Sequence, residues 1–224
     1  MKIAFRVDSS KKLGLGHVKR CVPLAKSLEE KNILILFITR FTETQNFLQS
    51  KGFIVFTIKQ KSESVDVNRI LKNERCTKLV IDSKRKSIEN LLKNLDDKIK
   101  VILIDNFQFS NHADLVISSS FKNPKFNYPK NSIVGPKFLL HGIENIPKST
   151  KHKNDSILLT MGGSDKYNIT QKIVNSFLKN LNNFKLIIIL GKYYEYEKNL
   201  FEIINNDKRF IVIKNPPNLT DLMQ

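Results

Sequence analysis

Short apolar runs rich in β-branched residues alternate with stretches of helical spacing along most of the 224 residues. That alternation is the pattern of βαβ units building a parallel sheet. It predicts strands at Ile3–Val7, Ile33–Thr39, Phe53–Ile58, Leu79–Ile81, Val101–Ile104, Leu115–Ile117, Ser156–Met161, Lys185–Leu190 and Phe210–Ile213. Helices are predicted over 17–31, 42–51, 63–73, 86–96, 166–180 and 193–206. In the first of these, Val18, Cys21, Val22, Ala25 and Leu28 fall on one face at helical spacing. Pro23 lies past its first turn and predicts a kink, because proline removes a backbone donor at a cost of about 3 kcal/mol.

From His141 to Asp155 the pattern lapses, through Gly142–Thr150 with Pro147 and then the polar run Lys151-His152-Lys153-Asn154-Asp155. A polar stretch with proline predicts a boundary, with one domain over 1–145 and another over 146–224. The fold class expected is α/β, with two Rossmann-like domains built on parallel sheets. Three strands and two or three helices follow the boundary, and the pattern stops mid-unit at Gln224, so the second domain is expected to be incomplete.

No apolar run approaches the roughly 18–20 residues a membrane span requires, so no membrane insertion is expected. Met1-Lys2-Ile3-Ala4-Phe5 leads straight into a strand, unlike a signal peptide. Cys21 and Cys76 form no metal or disulfide spacing, which fits a cytoplasmic setting. The four histidines also lack ligand spacing, and no metal or cofactor is expected. A net charge of +17 suits an anionic partner, but the lysines spread along the chain and no nucleic-acid recognition motif accompanies them. The charge therefore reads as a solvated lysine-rich surface, and no specific nucleic acid is expected.

Candidate chemistry begins after the first strand. Phe5-Arg6-Val7-Asp8-Ser9-Ser10 leads to Gly14-Leu15-Gly16-His17, and a helix follows. Glycines such as Gly14 and Gly16 in a βα turn let the backbone approach a ligand, and the helix start offers N–H groups to an anion. His17 at that end feels the same dipole, which disfavours its charged form, so the ring can take a proton from water. The alternative is a histidine that only braces the helix start. Arg6 and Asp8 end the strand, where open α/β sheets bind ligands, and alternation puts both on one face. Asp8 could bind a sugar hydroxyl or orient His17, while Arg6 could meet an acidic group; a plain Arg6–Asp8 ion pair is the alternative. Asp82 and Asp105 also end strands and could line the same cleft.

A second turn, Met161-Gly162-Gly163-Ser164-Asp165 with Asn168, again joins a strand to a helix, and Ser164 and Asp165 suit the cap position. It reads either as a diphosphate cradle or as a capped turn without a ligand.

Taken together, Phe5–Ser10, Gly14–Arg20, Leu24-Ala25, Leu79–Asp82, Ile104-Asp105-Asn106, His112–Leu115, Gly135-Pro136, and Met161–Asp165 with Asn168 resemble a known signature. They are similar to the UDP-2,4-diacetamido-2,4,6-trideoxy-β-L-altropyranose hydrolases of pseudaminic acid synthesis and to a related spore-coat polysaccharide family. The resemblance runs collinearly over nearly the whole chain. It implies a GT-B-like architecture, a UDP-sugar partner, and inverting attack of water at the anomeric carbon. It further implies His17 as the residue that activates the water, and the Gly162-Gly163-Ser164 turn as the part that approaches the nucleotide. Ser83 and Lys84 stand where the family usually carries His and Tyr, and Asn106 where it carries a second Asp. A GT-B glycosyltransferase and a non-catalytic UDP-sugar-binding protein are the alternatives.

Overall fold

The computed structural model describes residues 1–10, 13–140, 155–180, 184–216, 219 and 222. The chain divides into two units, Met1–Gly142 and Ile143–Gln224. The boundary expected between 145 and 146 lies outside the described residues.

The first unit is built on seven parallel strands: β1 (Lys2–Val7), β2 (Leu34–Thr39), β3 (Ile54–Thr57), β4 (Lys78–Asp82), β5 (Lys100–Ile104), β6 (Leu115–Ser118) and β7 (Ser132–Val134). Their order across the sheet is β3-β2-β1-β4-β5-β6-β7. Four helices lie between them in sequence: α1 (Gly16–Glu29), α2 (Thr42–Gln49), α3 (Glu63–Asn73) and α4 (Ile88–Lys93). The central strands are apolar on both faces because both faces are covered.

Alternation along the strands sorts the core into two layers. Ala4, Leu36, Ile38, Leu79, Ile81 and Leu103 pack with Val67, Ile70 and Leu71 of α3 and with Ile88 and Leu91 of α4. Ile3, Phe5, Val7, Ile35, Phe37, Val80 and Ile104 pack with Val18, Cys21 and Ala25 of α1 and with Leu48 of α2. This parity decides where polar residues at the strand ends can reach. Arg6 shares a face with Ala4, toward α3, whereas Asp82 shares a face with Val80, toward α1.

The strand order reverses between β1 and β4, which both pair in parallel, with Val7 opposite Asp82. Such a switch point opens a crevice beyond the carboxyl ends of the strands, because the connections on either side run to opposite faces.

The second unit has three parallel strands, β8 (Ser156–Thr160), β9 (Lys185–Leu190) and β10 (Phe210–Lys214), in the order β10-β9-β8, with helices α5 (Ile169–Asn180) and α6 (Glu197–Ile204). Leu159, Val174, Phe177, Leu186, Ile188, Leu200 and Phe210 form its core.

Differences from the sequence reading are local. Strand β7 is three residues long and leaves little apolar signal. Helix α5 starts at Ile169 rather than 166, because Asp165 and Asn168 take positive φ of 39° and 49°. Helix α6 stops at Ile204, where Asn205 and Asn206 turn left-handed. Helix α4 is shorter at both ends than 86–96. Helix α1 continues through Pro23 as far as Glu29. Among the described residues no helix is long and apolar enough to cross a membrane.

Candidate active site

The turn after β1 brings His17 to the start of α1, directly above the end of β4. Its Nδ1 lies 2.6 Å from Oδ1 of Asp82, whose side chain is fully buried. Asp82 sits there because of the pleat, which points it at α1, and because of the β1–β4 register. Burial alone would raise the Asp82 carboxyl, but hydrogen bonds from Arg20 and then His17 hold it below the usual carboxylate range. An ionised carboxylate only accepts hydrogen bonds, so the Nδ1 of His17 must carry a proton, and in the neutral ring the lone pair is then on Nε2. Asp82 thereby fixes both the tautomer and the plane of the ring. His17 remains 25% exposed.

Asp82 has further partners on α1. Arg20 donates from Nε to Oδ2 at 2.5 Å and from a terminal nitrogen to Oδ1 at 2.6 Å. Its other terminal nitrogen reaches Oδ2 of Asp105 at 2.5 Å. Asp105 accepts from the Ser118 hydroxyl at 2.7 Å through Oδ1. Cys21 points its thiol at Asp82 at 3.7 Å, and burial, then the Asp82 charge, push that thiol well up, so it stays protonated.

A pocket of about 210 Å³ opens beside the ring, lined by Asp8, Leu13, His17, Asp82, Ser83, Lys84 and Arg85. A larger groove of about 640 Å³ lies at the other end of the sheet, near Thr77 and Ile99 before β4 and β5. No histidine is among its lining residues, whereas His17 lines the smaller pocket.

Arg6 and Asp8 are brought together, but neither meets His17. Arg6 is 1% exposed and donates to both Asp8 oxygens at 2.6 and 2.9 Å and to Glu63 at 2.8 Å. Asp8 also accepts from the Arg40 backbone and side chain, each at 2.9 Å, and faces Arg85 at 3.2 Å. The ion pair is therefore formed, and the orienting of His17 expected of Asp8 falls to Asp82. Strand parity turns Asp8 toward α3, and three guanidinium groups occupy its oxygens. Burial opposes ionisation of Asp8, but the Arg6 bonds and charge, the Arg40 N–H and Arg85 hold it far below the carboxylate range. Glu63 is held down in the same way by Arg6 and Arg85, against its burial.

Carboxyls depressed on folding stabilise the native state above their unfolded pKa of roughly 4, and that stability is lost as pH falls toward the folded values. Unfolding free energy is therefore expected to drop steeply below about pH 4. Glu63→Gln should flatten that slope in urea titrations at several pH values.

The second turn is also as dense as its glycines suggest. Gly162 takes φ +75°, and Gly191 at the end of β9 packs against it so closely that an added Cβ would lie 2.2 Å from the Gly162 carbonyl. The Gly163 carbonyl accepts from the Tyr193 N–H at 2.8 Å. Asp165 caps α5, its two oxygens accepting from the N–H groups of Ile169 and Thr170 at 2.8 Å each. Asn168 accepts from the Tyr194 hydroxyl at 2.9 Å and donates to Gln171. Asp165 and Asn168 thus use these side-chain groups to shape the turn. Ser164 is partly buried at its centre. Gly191→Ala should cost about 1–3 kcal/mol by forcing this turn apart, readable as a lower urea midpoint.

Sequence reasoning assigned no role to Arg20, Arg40, Glu63, Arg85, Ser118 or Gly191. Arg20 carried a usable signal, since it lies three residues after His17 on the same helix face. Arg40 and Arg85 meet Asp8, and Glu63 meets Arg6 and Arg85, only through the sheet topology. Among the described residues, no group of three His, Cys, Asp or Glu is placed to hold a metal ion.

The architecture is GT-B-like α/β, with one seven-stranded and one three-stranded parallel sheet. No family model matches the chain. It is 29% identical to an uncharacterized protein, MJ1062, of Methanocaldococcus jannaschii, over 100% of this chain and 50% of that one. It is 24% identical to the UDP-2,4-diacetamido-2,4,6-trideoxy-β-L-altropyranose hydrolase of Campylobacter jejuni, over 80% of this chain and 66% of that one. The chain thus spans half the length of the first relative and just under two thirds of the second. Among solved structures, MurG of Acinetobacter baumannii superposes with a TM-score of 0.61 at 13% identity, over 99% of this chain and 70% of that one. UDP-GlcNAc 2-epimerase of Methanocaldococcus jannaschii gives 0.57 at 11% identity, over 100% of this chain and 76% of that one. These structural likenesses establish the shared fold.

Proposed function

We propose that the chain is a UDP-sugar hydrolase in which His17 activates water. The observation that carries this reading is the hydrogen bond from His17 Nδ1 to the buried Asp82, which leaves a proton-accepting Nε2 beside a pocket at the switch point. In the reaction, Nε2 takes a proton from water as the oxygen bonds to the anomeric carbon. The bond from that carbon to the β-phosphate oxygen breaks, and its electron pair leaves with UDP. Asp82 stabilises the imidazolium that forms, as a buried carboxylate does for a base in a dyad or triad. Attack from the face opposite UDP inverts the anomeric centre.

The sugar proposed is a 2,4-diacetamido-2,4,6-trideoxy hexose, on the strength of the Campylobacter relative. The Gly162-Gly163-Ser164 turn is proposed to receive the diphosphate through its backbone N–H groups. Within the first unit, Ser83 and Lys84 line the pocket beside His17 and are proposed to contact the sugar. The test is release of UDP from that nucleotide sugar with no acceptor present. A glycosyltransferase is the second reading, favoured by the likeness in fold to a glycosyltransferase of Rickettsia africae, with a TM-score of 0.61 at 13% identity. Release that depends strictly on an added acceptor would replace the hydrolase with the transferase.

A further inference from the structure

Arg20 is built into the site more firmly than a helix-surface arginine needs to be. Its side chain is 26% exposed and gives three hydrogen bonds of 2.5–2.6 Å, two to Asp82 and one to Asp105. Asp105 is itself an unusual support. It takes a φ of 51°, which is uncommon for a residue with a side chain, and Ser118, 1% exposed, holds its other oxygen. A terminal nitrogen of Arg20 also stands 3.4 Å from the Nδ1 of His17. Because that Nδ1 donates to Asp82, the contact places a permanent cation against a ring that must become cationic to act.

We infer that Arg20, backed by Asp105 and Ser118, is a positioning residue: it locks Asp82 against His17 and offsets part of the Asp82 charge that faces the ring. This rests on the reading of His17 as the base.

The charges around the ring are consistent in sign. Asp82 favours the imidazolium and Arg20 opposes it. Asp105 partly offsets Arg20. From the strands and turns packed against α1, Asp8 is matched by Arg6, Arg40 and Arg85, Lys84 lines the pocket, and Cys21 is neutral. Remove Arg20, and a buried carboxylate faces the ring with its main counter-charge gone. A charge at this range moves a neighbouring titration by about one to three pH units. Remove the Asp105 charge instead, and Arg20 opposes the imidazolium more strongly.

The experiment is an NMR titration of the histidine ring protons of the 224-residue chain, with the His17 signal identified by its loss in His17→Gln. Arg20→Met is expected to raise the pH at which His17 titrates by about one unit or more. Asp105→Asn is expected to lower it by a smaller amount. Arg20→Lys, which keeps the charge but not the paired hydrogen bonds, should titrate near wild type yet release UDP more slowly. In folded variants, titration curves that superpose on wild type for both Arg20→Met and Asp105→Asn would overturn the inference. If Arg20→Met does not fold, the downward shift in Asp105→Asn decides the matter alone: its presence supports the role and its absence removes it. The ring titration needs no substrate. Shifted titrations without UDP release would therefore sink the hydrolase reading and leave the charge-setting role intact.

Discussion

His17→Ala is expected to lower kcat/KM for UDP release by about 10²–10⁴-fold, the usual contribution of a positioned general base. Its thermal midpoint should stay close to wild type. The ring is a quarter exposed and makes one buried hydrogen bond, so little packing is lost. The loss should fall on kcat rather than KM, because Nε2 acts only as the water is deprotonated and contributes little to holding the ground-state substrate. A variant that kept wild-type kcat would remove His17 from the chemistry, whatever the pocket binds.

Asp82→Asn should produce the second large effect, and on two readouts at once. An amide in place of the carboxylate can present its N–H to Nδ1 and favour the wrong tautomer, a change that costs about 10⁴-fold in a serine protease triad. Catalysis should therefore fall by at least about 10²-fold. Stability should fall as well, because Arg20 would lose the partner of two short hydrogen bonds in a site that is mostly buried. Breaking one side of a buried pair costs about 3–5 kcal/mol, and the partial exposure of Arg20 together with its bond to Asp105 puts the expectation near about 3 kcal/mol. A urea titration reads this loss directly. His17→Ala and Asp82→Asn thus differ in stability while sharing the catalytic defect, and that contrast separates the acting ring from the group that holds it.

Much of the fold was legible because parallel strands covered on both faces leave uninterrupted apolar runs, as in Ile33–Ile38 and Leu79-Val80-Ile81. The glycine turn ahead of His17 likewise follows from local chemistry. The partner of His17 was not legible from spacing. Asp8 is nine residues away in sequence and Asp82 sixty-five, yet pleat direction sends the near one to α3 and the distant one to α1. That choice depends on β4 lying beside β1, which is a property of the sheet order and not of either segment. Arg6 shows the same dependence. A cation inside an apolar strand is costly unless paired, and its second partner, Glu63, arrives at the start of α3, fifty-seven residues on. Helix ends were misjudged for a different reason. Asp165, Asn168, Asn205 and Asn206 take left-handed backbone that apolar periodicity cannot reveal.

Hydrolysis in ¹⁸O-labelled water tests the central claim most directly. With the UDP-linked diacetamido-trideoxy sugar and no acceptor, attack at the anomeric carbon leaves the released UDP free of label. UDP carrying ¹⁸O in its β-phosphate would show that water attacks phosphorus instead, and that result would contradict the mechanism assigned to His17 and Asp82.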